Sequence, residues 1–458
     1  MSAGAAIRRW PGYGMVWRWH FYAGLLCIPF VLWLALTGSI YVWRPQIEAW
    51  LDRPYAHVAQ PGIARRADSA IAMAAVRAVK GSVLHRFQLP ASADQAVQVL
   101  VGAGRAETRV YVHPQTLAIL RVEDEDRRPM PLVFRLHGEL LAGPIGSYVV
   151  ELAASWAIVM ILSGLFLWWP RGARGLAGTL YPRLRLRGRA FWRDMHAAVG
   201  LWVSLFALLF LLSGLPWAQS WGGYLKAMRS LSAAAIVSQD WTAGHEQVLR
   251  DRARRDAARR AMADPHAGHH GMAMSASPLD YAALDRVARA VAPLRMAAPV
   301  LLLPPAGPGQ PWTAKSDAAD RPRRSDVTLA ADGRILGRRD FAARPLLDRI
   351  VGTGVAAHEG QLFGLANQLL NLAIAIGLML VAASGAVMWW RRRPADRLGA
   401  PPAVARQPVA IGFVVLLVAL GLLLPLLGGS MLIVAMVERI VLRWLPRSRR
   451  WLGLPAAA

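Results

Sequence analysis

Four histidines recur along the chain at matched distances from small residues. His20 and His196 are each followed by one glycine 4 residues later and by a second glycine 18 residues later. His137 and His358 are each followed by a Ser-Gly pair at 26 and 27 residues and by a Trp-Trp pair at 31 and 32 residues. The glycines at these positions are Gly24, Gly38, Gly200, Gly214, Gly164 and Gly385. Because the distances repeat independently, the sequence predicts an internal duplication with units 20–169 and 196–390.

The chemistry that fits these histidines is haem ligation. A neutral imidazole is a good axial ligand for haem iron, and helical bundles build cofactor sites from side chains on facing helices. We therefore expect two b-type haems, one between His20 and His196 and one between His137 and His358. Eighteen residues make five helical turns, so the glycines would share the histidine faces and admit a flat macrocycle. Two other interpretations stay open: interfacial histidines in an aromatic belt, and glycines that serve close helix packing.

The composition indicates that these histidines belong to a membrane protein. Of 458 residues, 55% are hydrophobic and 18% are charged, whereas about 25% are charged in a typical soluble protein. Uncharged stretches cover 21–43, 152–169, 195–225, 360–390 and 407–437, and each is long enough to cross a bilayer. The only cysteine lies inside the first stretch, so a disulfide scaffold, thiolate metal sites and covalently attached haem are excluded.

The first and last stretches need separate interpretation. Residues 21–43 are longer than the apolar core of a signal peptide and no A-x-A cleavage site follows, so we expect an uncleaved anchor. The last stretch is interrupted by Pro425 and by Gly428-Gly429, and continues as an apolar segment to Trp444. It forms either a hairpin of two short spans or one span and a surface helix, and the hairpin is favoured.

The net charge of +25 is concentrated in the short loops. The segments 1–19, 170–195, 391–406 and 438–458 carry 20 Lys and Arg in 82 residues, whereas 44–136 and 218–357 carry 33 in 233. By the positive-inside rule, the amino terminus and the short loops are cytoplasmic and the two long segments lie outside. The lipid bilayer is thus the expected partner, and the basic charge needs no nucleic acid to explain it.

The two long outside segments predict two small α+β domains. In the first, 68–80 has helical character, and 95–101, 108–112 and 118–122 have strand character. In the second, helical character at 278–292 precedes strand-like runs at 300–303, 312–315, 326–329 and 334–337. The order of helix and then strands repeats, which agrees with the duplication.

The expected fold is a mainly α membrane protein. It has a four-helix core bundle from two units of span, outside domain and span, two small α+β domains, and an extra C-terminal hairpin or span. The expected boundaries are the amino terminus and span 1 (1–43), an outside domain (44–136), an outer-face histidine segment and span 2 (137–169), a basic cytoplasmic loop (170–195), span 3 (196–217), a second outside domain (218–357) with an insert (230–277), a histidine segment and span 4 (358–390), a cytoplasmic loop (391–408), one or two C-terminal spans (409–445) and a basic tail (446–458).

The insert at 230–277 occurs only in the second copy and contains a cluster of histidines and methionines. Its candidate ligands are His266, His269, His270, Met272 and Met274. Imidazole and thioether together suit copper or another late transition metal, so a copper or iron site is one interpretation and a polar linker is the other. The remaining histidines, His57, His85, His113 and His245, are interpreted as ordinary surface or core residues.

The motifs around the spans resemble those of the PepSY-associated transmembrane family. They are Arg18-Trp-His20 with Leu36-Thr-Gly38, Arg193-Asp-Met-His196 with Leu212-Ser-Gly-Leu-Pro-Trp217, Ser163-Gly-Leu-Phe-Leu-Trp-Trp-Pro170 and Ser384-Gly-Ala-Val-Met-Trp-Trp-Arg391. The resemblance covers roughly residues 10–445. The outside domains are similar to PepSY domains, and Val110-Tyr-Val-His-Pro-Gln-Thr-Leu resembles the strand, turn and strand that end such a domain.

The resemblance implies a function in metal reduction. Some members of the family are di-haem proteins of the bacterial inner membrane that reduce imported ferric siderophores. It therefore implies electron transfer from a cytoplasmic or quinol donor to a periplasmic ferric chelate, as in a transmembrane metalloreductase. Since no GxGxxG motif followed by an acidic residue occurs, a separate donor must supply the electrons. The alternative is a non-enzymatic membrane PepSY protein that binds a partner, copper or iron.

Overall fold

The computed structural model describes residues 12–170, 175–230, 245–263, 279–307, 309–402 and 411–454. The chain divides into two compact units. The membrane unit comprises Met1–Ser39, His137–Leu231 and Leu369–Ala458, and the sheet unit comprises Ile40–Leu136 and Ser232–Gln368.

The α-helices of the described ranges differ widely in length. In chain order they are α1 Tyr13–Tyr41, α2 Arg44–Leu51, α3 Asp68–Ala78, α4 Pro129–Glu139, α5 Gly143–Trp168, α6 Gly188–Gly214, α7 Gln219–Ser230, α8 His245–Ala263, α9 Tyr281–Val291, α10 Leu346–His358, α11 Leu365–Arg392, α12 Ile411–Leu423, α13 Pro425–Met436 and α14 Pro446–Leu452.

Long apolar helices dominate the membrane unit. In the part of the chain that the structure describes, five helical segments are long and apolar enough to cross a bilayer: Tyr13–Tyr41, Gly143–Trp168, Gly188–Trp217, Leu365–Arg392 and Pro425–Trp444. Large side chains such as Trp33, Leu205 and Leu380 are exposed, whereas small ones such as Ala23 and Ala198 are buried. Apolar groups on the outside and small residues at helix contacts are typical of packing in lipid. The prediction of a mainly helical, multi-pass membrane protein is confirmed.

The C-terminal apolar segment folds back on itself. The chain turns at Leu424, between α12 and α13, and an added Cβ on Gly421 would lie only 3.2 Å from the Cα of Gly428. Leu398, before α12, donates its backbone N–H to Trp451, after α13, so both ends of the segment lie together. With 13 residues, α12 extends about 20 Å, less than the thickness of a hydrocarbon core. This segment is a hairpin whose first arm is short.

The sheet unit contains one antiparallel sheet of eight strands. Their bounds are β1 Val83–Leu89, β2 Val97–Ala103, β3 Ala106–Val112, β4 Ile119–Asp124, β5 Val300–Leu303, β6 Trp312–Ser316, β7 Ser325–Leu329 and β8 Ile335–Asp340. The order is β4-β3-β2-β1-β5-β6-β7-β8, so β1 pairs with β5. The helices α3 and α9 supply Ile71, Leu284 and Val287 to the core, which also contains Phe87 and Trp312 of the sheet. The segments 44–136 and 218–357, predicted from the sequence as two separate α+β domains, therefore share one sheet and one core.

Strand β1 has no counterpart in the sequence predictions. A β-bulge between Leu84 and Arg86 shifts its register against β2, so His85 is an extra residue in the strand. A bulge breaks the period of two that marks a strand in sequence, and the side chain at the bulge is directed differently from its neighbours.

Candidate functional site in the membrane unit

A cavity of about 870 Å³ lies among α1, α5, α6 and α11 of the membrane unit. This volume is within the range of small-molecule and cofactor sites. Its wall is mostly apolar and includes His20 of α1 and His196 of α6, together with Gly24 and Gly200 one turn after each histidine. An added Cβ at Gly24 would meet no atom within 4 Å, and one at Gly200 would meet only Val381, at 3.9 Å. These two glycines leave space in front of the histidines.

The His20 ring is held by α5 through one of its two nitrogens. Its Nδ1 lies 3.0 Å from the carbonyl oxygen of Met160 and 3.1 Å from Ser163 Oγ. Ser163 donates its own hydroxyl hydrogen to Met160 at 2.9 Å, so its oxygen acts as an acceptor. With acceptors on both sides, Nδ1 carries the hydrogen and donates it, and Nε2 keeps a lone pair.

The His196 ring is held by α11 in the same way. Its Nδ1 lies 3.0 Å from the carbonyl oxygen of Val381 and 3.2 Å from Ser384 Oγ, and the Ser384 hydroxyl donates to Val381 at 2.9 Å. A hydrogen bond from the second ring nitrogen to a carbonyl is the usual way in which proteins orient a metal-binding histidine. Both histidines of the cavity are therefore prepared to bind a metal through Nε2.

His137, in the last turn of α4, repeats the arrangement outside the cavity. Its Nδ1 lies 2.9 Å from Thr37 Oγ1 of α1, and Thr37 donates its hydroxyl hydrogen to the carbonyl of Trp33 at 2.8 Å. The fourth histidine of the set, His358, is the last residue of α10 and belongs to the sheet unit.

The glycines that follow these hydroxyl residues lie against imidazole rings. An added Cβ would be 3.0 Å from Cε1 of His20 at Gly164, 3.3 Å from Cε1 of His196 at Gly385, and 3.3 Å from Cε1 of His137 at Gly38. The nearest neighbour of an added Cβ at each of these glycines is thus a histidine ring of another helix, and the role of these glycines in admitting a macrocycle stays a prediction. Gly214, the remaining glycine of the pattern, ends α6. The pairs Thr37-Gly38, Ser163-Gly164 and Ser384-Gly385 thus each supply an acceptor and a close approach for one ring.

His20 and His196 lie next to each other in the cavity. Their ring centres are 6.2 Å apart and their ring planes are inclined by 82°. A metal–imidazole bond is about 2.0 Å long and the nitrogen lies about 1.1 Å from the ring centre, so two rings on opposite sides of one metal have centres about 6.2 Å apart. The observed separation fits a metal between the two histidines.

Sequence reasoning missed three arginines that line the same cavity: Arg189, Arg193 and Arg392. It assigned them to basic cytoplasmic flanks. Their spacing contained a usable signal, because Arg189 and Arg193 precede His196 by seven and three residues and so share its helix face. An arginine on the same helix face as a histidine can line the same cavity, whereas an arginine in a loop belongs to the basic flank.

The sheet unit contains a second polar cluster, around His85, which was expected to be ordinary. His85 is buried, with Nδ1 at 3.0 Å from Glu107 Oε1 of β3 and Nε2 at 2.6 Å from Asp256 Oδ1 of α8. Opposite it, an added Cβ at Gly102 would lie 1.9 Å from the His85 ring, so only glycine fits there. Asp256 also accepts a hydrogen bond from the backbone N–H of Gly104.

Arginines complete this cluster and attach α8 to the sheet. Arg252 pairs with Glu107 at 2.9 Å and with Asp126 at 2.6 Å, and Arg86 pairs with Glu107 as well. Burial acts to raise the pKa of Glu107, but Arg86, His85 and Arg252 together hold it well below its usual range. The insert helix is therefore fixed to the sheet by buried charges.

The proposed ligands of the insert, His266, His269, His270, Met272 and Met274, lie outside the described residues. Within the described ranges, no group of three or more His, Cys, Asp or Glu side chains is arranged to hold a metal ion. A pair of histidines completed by a macrocycle is a different kind of site.

Residues 17–392 match the family described as the PepSY-associated TM region. The chain belongs to this family. The match runs from the second turn of α1 to the end of α11 and so includes all four histidines of the repeated pattern. Membership in the PepSY-associated TM region family supports a membrane protein and confirms the resemblance seen in the span motifs. No curated protein matches the chain.

Proposed function

We propose that the chain is a haem-containing electron-transfer protein of the membrane, with one b-type haem between His20 and His196. The observation that carries the proposal is the 6.2 Å separation of two rings whose Nδ1 atoms are already occupied as donors. A haem bound there supplies reversible one-electron chemistry at its iron.

The residues around the cavity have definite tasks in this proposal. The carbonyls of Met160 and Val381 orient the two rings and increase the electron density on Nε2. Gly24 and Gly200 leave space beside each ring for a flat group. The apolar wall excludes water, and a low-dielectric surrounding is one of the factors that set the reduction potential of a haem.

A second haem is proposed at His137 and His358. In support, His137 is anchored through Nδ1 to Thr37 by the same device as the two cavity histidines. His358 is proposed as the other ligand because it precedes a Ser-Gly pair and a Trp-Trp pair at the same distances as His137 does. Two haems near opposite ends of the spans would give an electron a path across the bilayer.

The proposed reaction is the reduction of a ferric chelate outside the bacterial inner membrane. Haems held by His20 with His196 and by His137 with His358 would supply one-electron transfer between a cytoplasmic or quinol donor and the chelate. The Fe³⁺ of the chelate would gain one electron to become Fe²⁺, which binds hard oxygen ligands less firmly and would be released. The resemblance of the span motifs to members that reduce ferric siderophores is the ground for this acceptor, and the distribution of Lys and Arg is the ground for this direction.

A visible spectrum of the purified full-length protein tests the proposal. We expect a Soret band and, after dithionite reduction, the sharp bands of a low-spin haem with two imidazole ligands. Substitution of His20 or His196 by Ala is expected to remove the same haem, so that the content falls from two per chain towards one. His57→Ala is the control, because His57 is exposed and pairs with Asp94 of the sheet unit. A protein that binds no haem when haem is supplied would refute the electron-transfer function.

A further inference from the structure

The cavity wall has an excess of positive charge at one end. It contains Arg189, Arg193 and Arg392 and, within the described residues, no carboxylate. Arg193 is compensated, because it lies 2.9 Å from Asp194, a fully buried side chain that also binds Arg183 at 2.7 Å. No described acidic residue forms an ion pair with Arg189 or Arg392, which leaves two uncompensated guanidinium groups at the cavity.

The two uncompensated arginines line the same cavity, Arg189 from the start of α6 and Arg392 from the end of α11. Two guanidinium groups beside an apolar cavity are unfavourable unless an anion lies near them. Their arrangement therefore favours a ligand with negative groups at one edge.

Arg392 is held in a fixed position on the cavity wall. Its guanidinium carbon lies 5.2 Å from the ring centre of Trp17 and 5.4 Å from that of Phe21, and both rings line the cavity. It also donates to the carbonyl of Gly399 at 2.8 Å. A guanidinium has five N–H donors, and one of these is used by Gly399, so the group is anchored without being saturated.

The helix positions relate both arginines to the histidine pair. Arg189 precedes His196 by seven residues on α6, and Arg392 follows Gly385, which contacts the His196 ring, by seven residues on α11. Seven residues are two helical turns, or about 10 Å. The two arginines thus lie on the same side of the histidine pair, at the end of α11 and the start of α6.

We infer that Arg189 and Arg392 bind the two carboxylate groups at one edge of the haem held by His20 and His196. The inference rests on the proposed function and adds to it the orientation of the cofactor. Guanidinium–carboxylate pairs are strong, geometrically specific hydrogen bonds, and Arg is better suited to them than Lys. The carboxylates would also compensate the positive charges of the two arginines.

The test compares haem with its dimethyl ester, in which both carboxylates are blocked. Purified full-length protein is reconstituted with each compound, and the affinity of the His20/His196 site is followed by the Soret band. We expect Arg189→Ala with Arg392→Ala to weaken binding of haem about tenfold or more and to leave binding of the dimethyl ester unchanged. Arg391→Ala is the matched control, because Arg391 is the neighbouring residue on the same helix and does not line the cavity.

Two further measurements separate the possible results. Lys at both positions should retain much of the affinity, because the charge stays while the bidentate geometry is lost. The midpoint potential of this haem should fall in the double Ala variant, since two cations near the iron no longer oppose its oxidation. The inference would be overturned, while the haem function stands, if the double Ala variant lost affinity for haem and for the dimethyl ester to the same extent. It would also be overturned if Arg391→Ala weakened haem binding as much as the double variant does. A wild-type protein without a Soret band would overturn both together.

Discussion

His20 and His196 of the membrane unit differ from His85 of the sheet unit in which ring nitrogens remain available. In the membrane unit, His20 and His196 each use Nδ1 for a carbonyl and a hydroxyl oxygen, and their rings line a cavity. In the sheet unit, His85 has a carboxylate at each nitrogen, Glu107 at Nδ1 and Asp256 at Nε2. Burial of a histidine is therefore a poor guide to ligation. The cavity histidines differ from His85 in that Nε2 keeps its lone pair while the ring lines a cavity.

The largest contrast is expected from alanine substitutions of these histidines. His85→Ala leaves Glu107 and Asp256 buried with one partner fewer, so the sheet unit should lose about 3–5 kcal/mol of unfolding free energy while the haem spectrum stays unchanged. His20→Ala should do the reverse and remove haem with little effect on the sheet unit. Thermal unfolding and the Soret band, recorded on the same samples, check both. If His85→Ala also lost haem, the separation of roles would be wrong.

Substitution of the glycines beside the histidine rings should likewise affect stability in the sheet unit and haem binding in the membrane unit, with smaller effects than substitution of the histidines. A methyl group at Gly102 would overlap the His85 ring at 1.9 Å, so Gly102→Ala should destabilise the sheet unit by about 2–3 kcal/mol. At Gly164 the distance to the His20 ring is 3.0 Å, so Gly164→Ala should displace that ring by a few tenths of an ångström. We expect weaker haem binding and a shifted midpoint potential there, with the overall stability retained.

Gly138→Ala is the control for both substitutions, because an added Cβ at Gly138 meets no atom within 4 Å. Equal effects at Gly138 and Gly164 would show that helix flexibility matters more than the contact with the ring.

The stability of the sheet unit should depend on pH through Glu107. The folded state holds the pKa of Glu107 below its ordinary value of 4.5. A depressed carboxyl pKa contributes stability that is fully present above the unfolded pKa and is lost as the pH falls through the folded one. The sheet unit should thus weaken progressively below about pH 4.5, and Glu107→Gln should remove part of this dependence. Chemical denaturation between pH 7 and pH 3 measures the effect, and an unchanged slope in the variant would contradict it.

The smallest effect is expected at the hydroxyl groups. Ser163→Ala removes one acceptor from His20 Nδ1 but leaves the carbonyl of Met160 at 3.0 Å, so the change in haem binding should be about 1 kcal/mol or less. Ser384→Ala should behave alike at His196, because its geometry is the same. Resonance Raman bands of the iron–imidazole bonds would report the altered hydrogen bonding. A complete loss of haem in either variant would mean that the carbonyl alone cannot orient the ring.

The sequence predicted the local features of the fold and missed the features that depend on tertiary pairing. Apolar length alone identified the spans, and the helix at 281–291 and strand β3 lie close to where periodicity placed them. The histidine that each Ser-Gly pair contacts could not be predicted from the sequence, because the contact joins two different helices. Ser163 of α5, for example, contacts His20 of α1. The same holds for the pairing of β1 with β5 and for Arg392, whose approach to the cavity depends on how α11 packs against α1.

The junction between β1 and β5 has a consequence for the order in which the protein is made. Phe87 pairs with Leu302, and the 214 residues between them include two complete spans, α5 and α6. Once β1 to β4 have been synthesised and before β5 has been, β1 has no neighbour on one side and exposes unpaired backbone groups, as any sheet edge does. Closure of the sheet must wait until α5 and α6 have been inserted and β5 has been delivered. The sheet therefore becomes complete only after β8, which ends at Asp340 of 458 residues, has been made. The half-formed sheet is the stage at which the nascent chain is most open to aggregation.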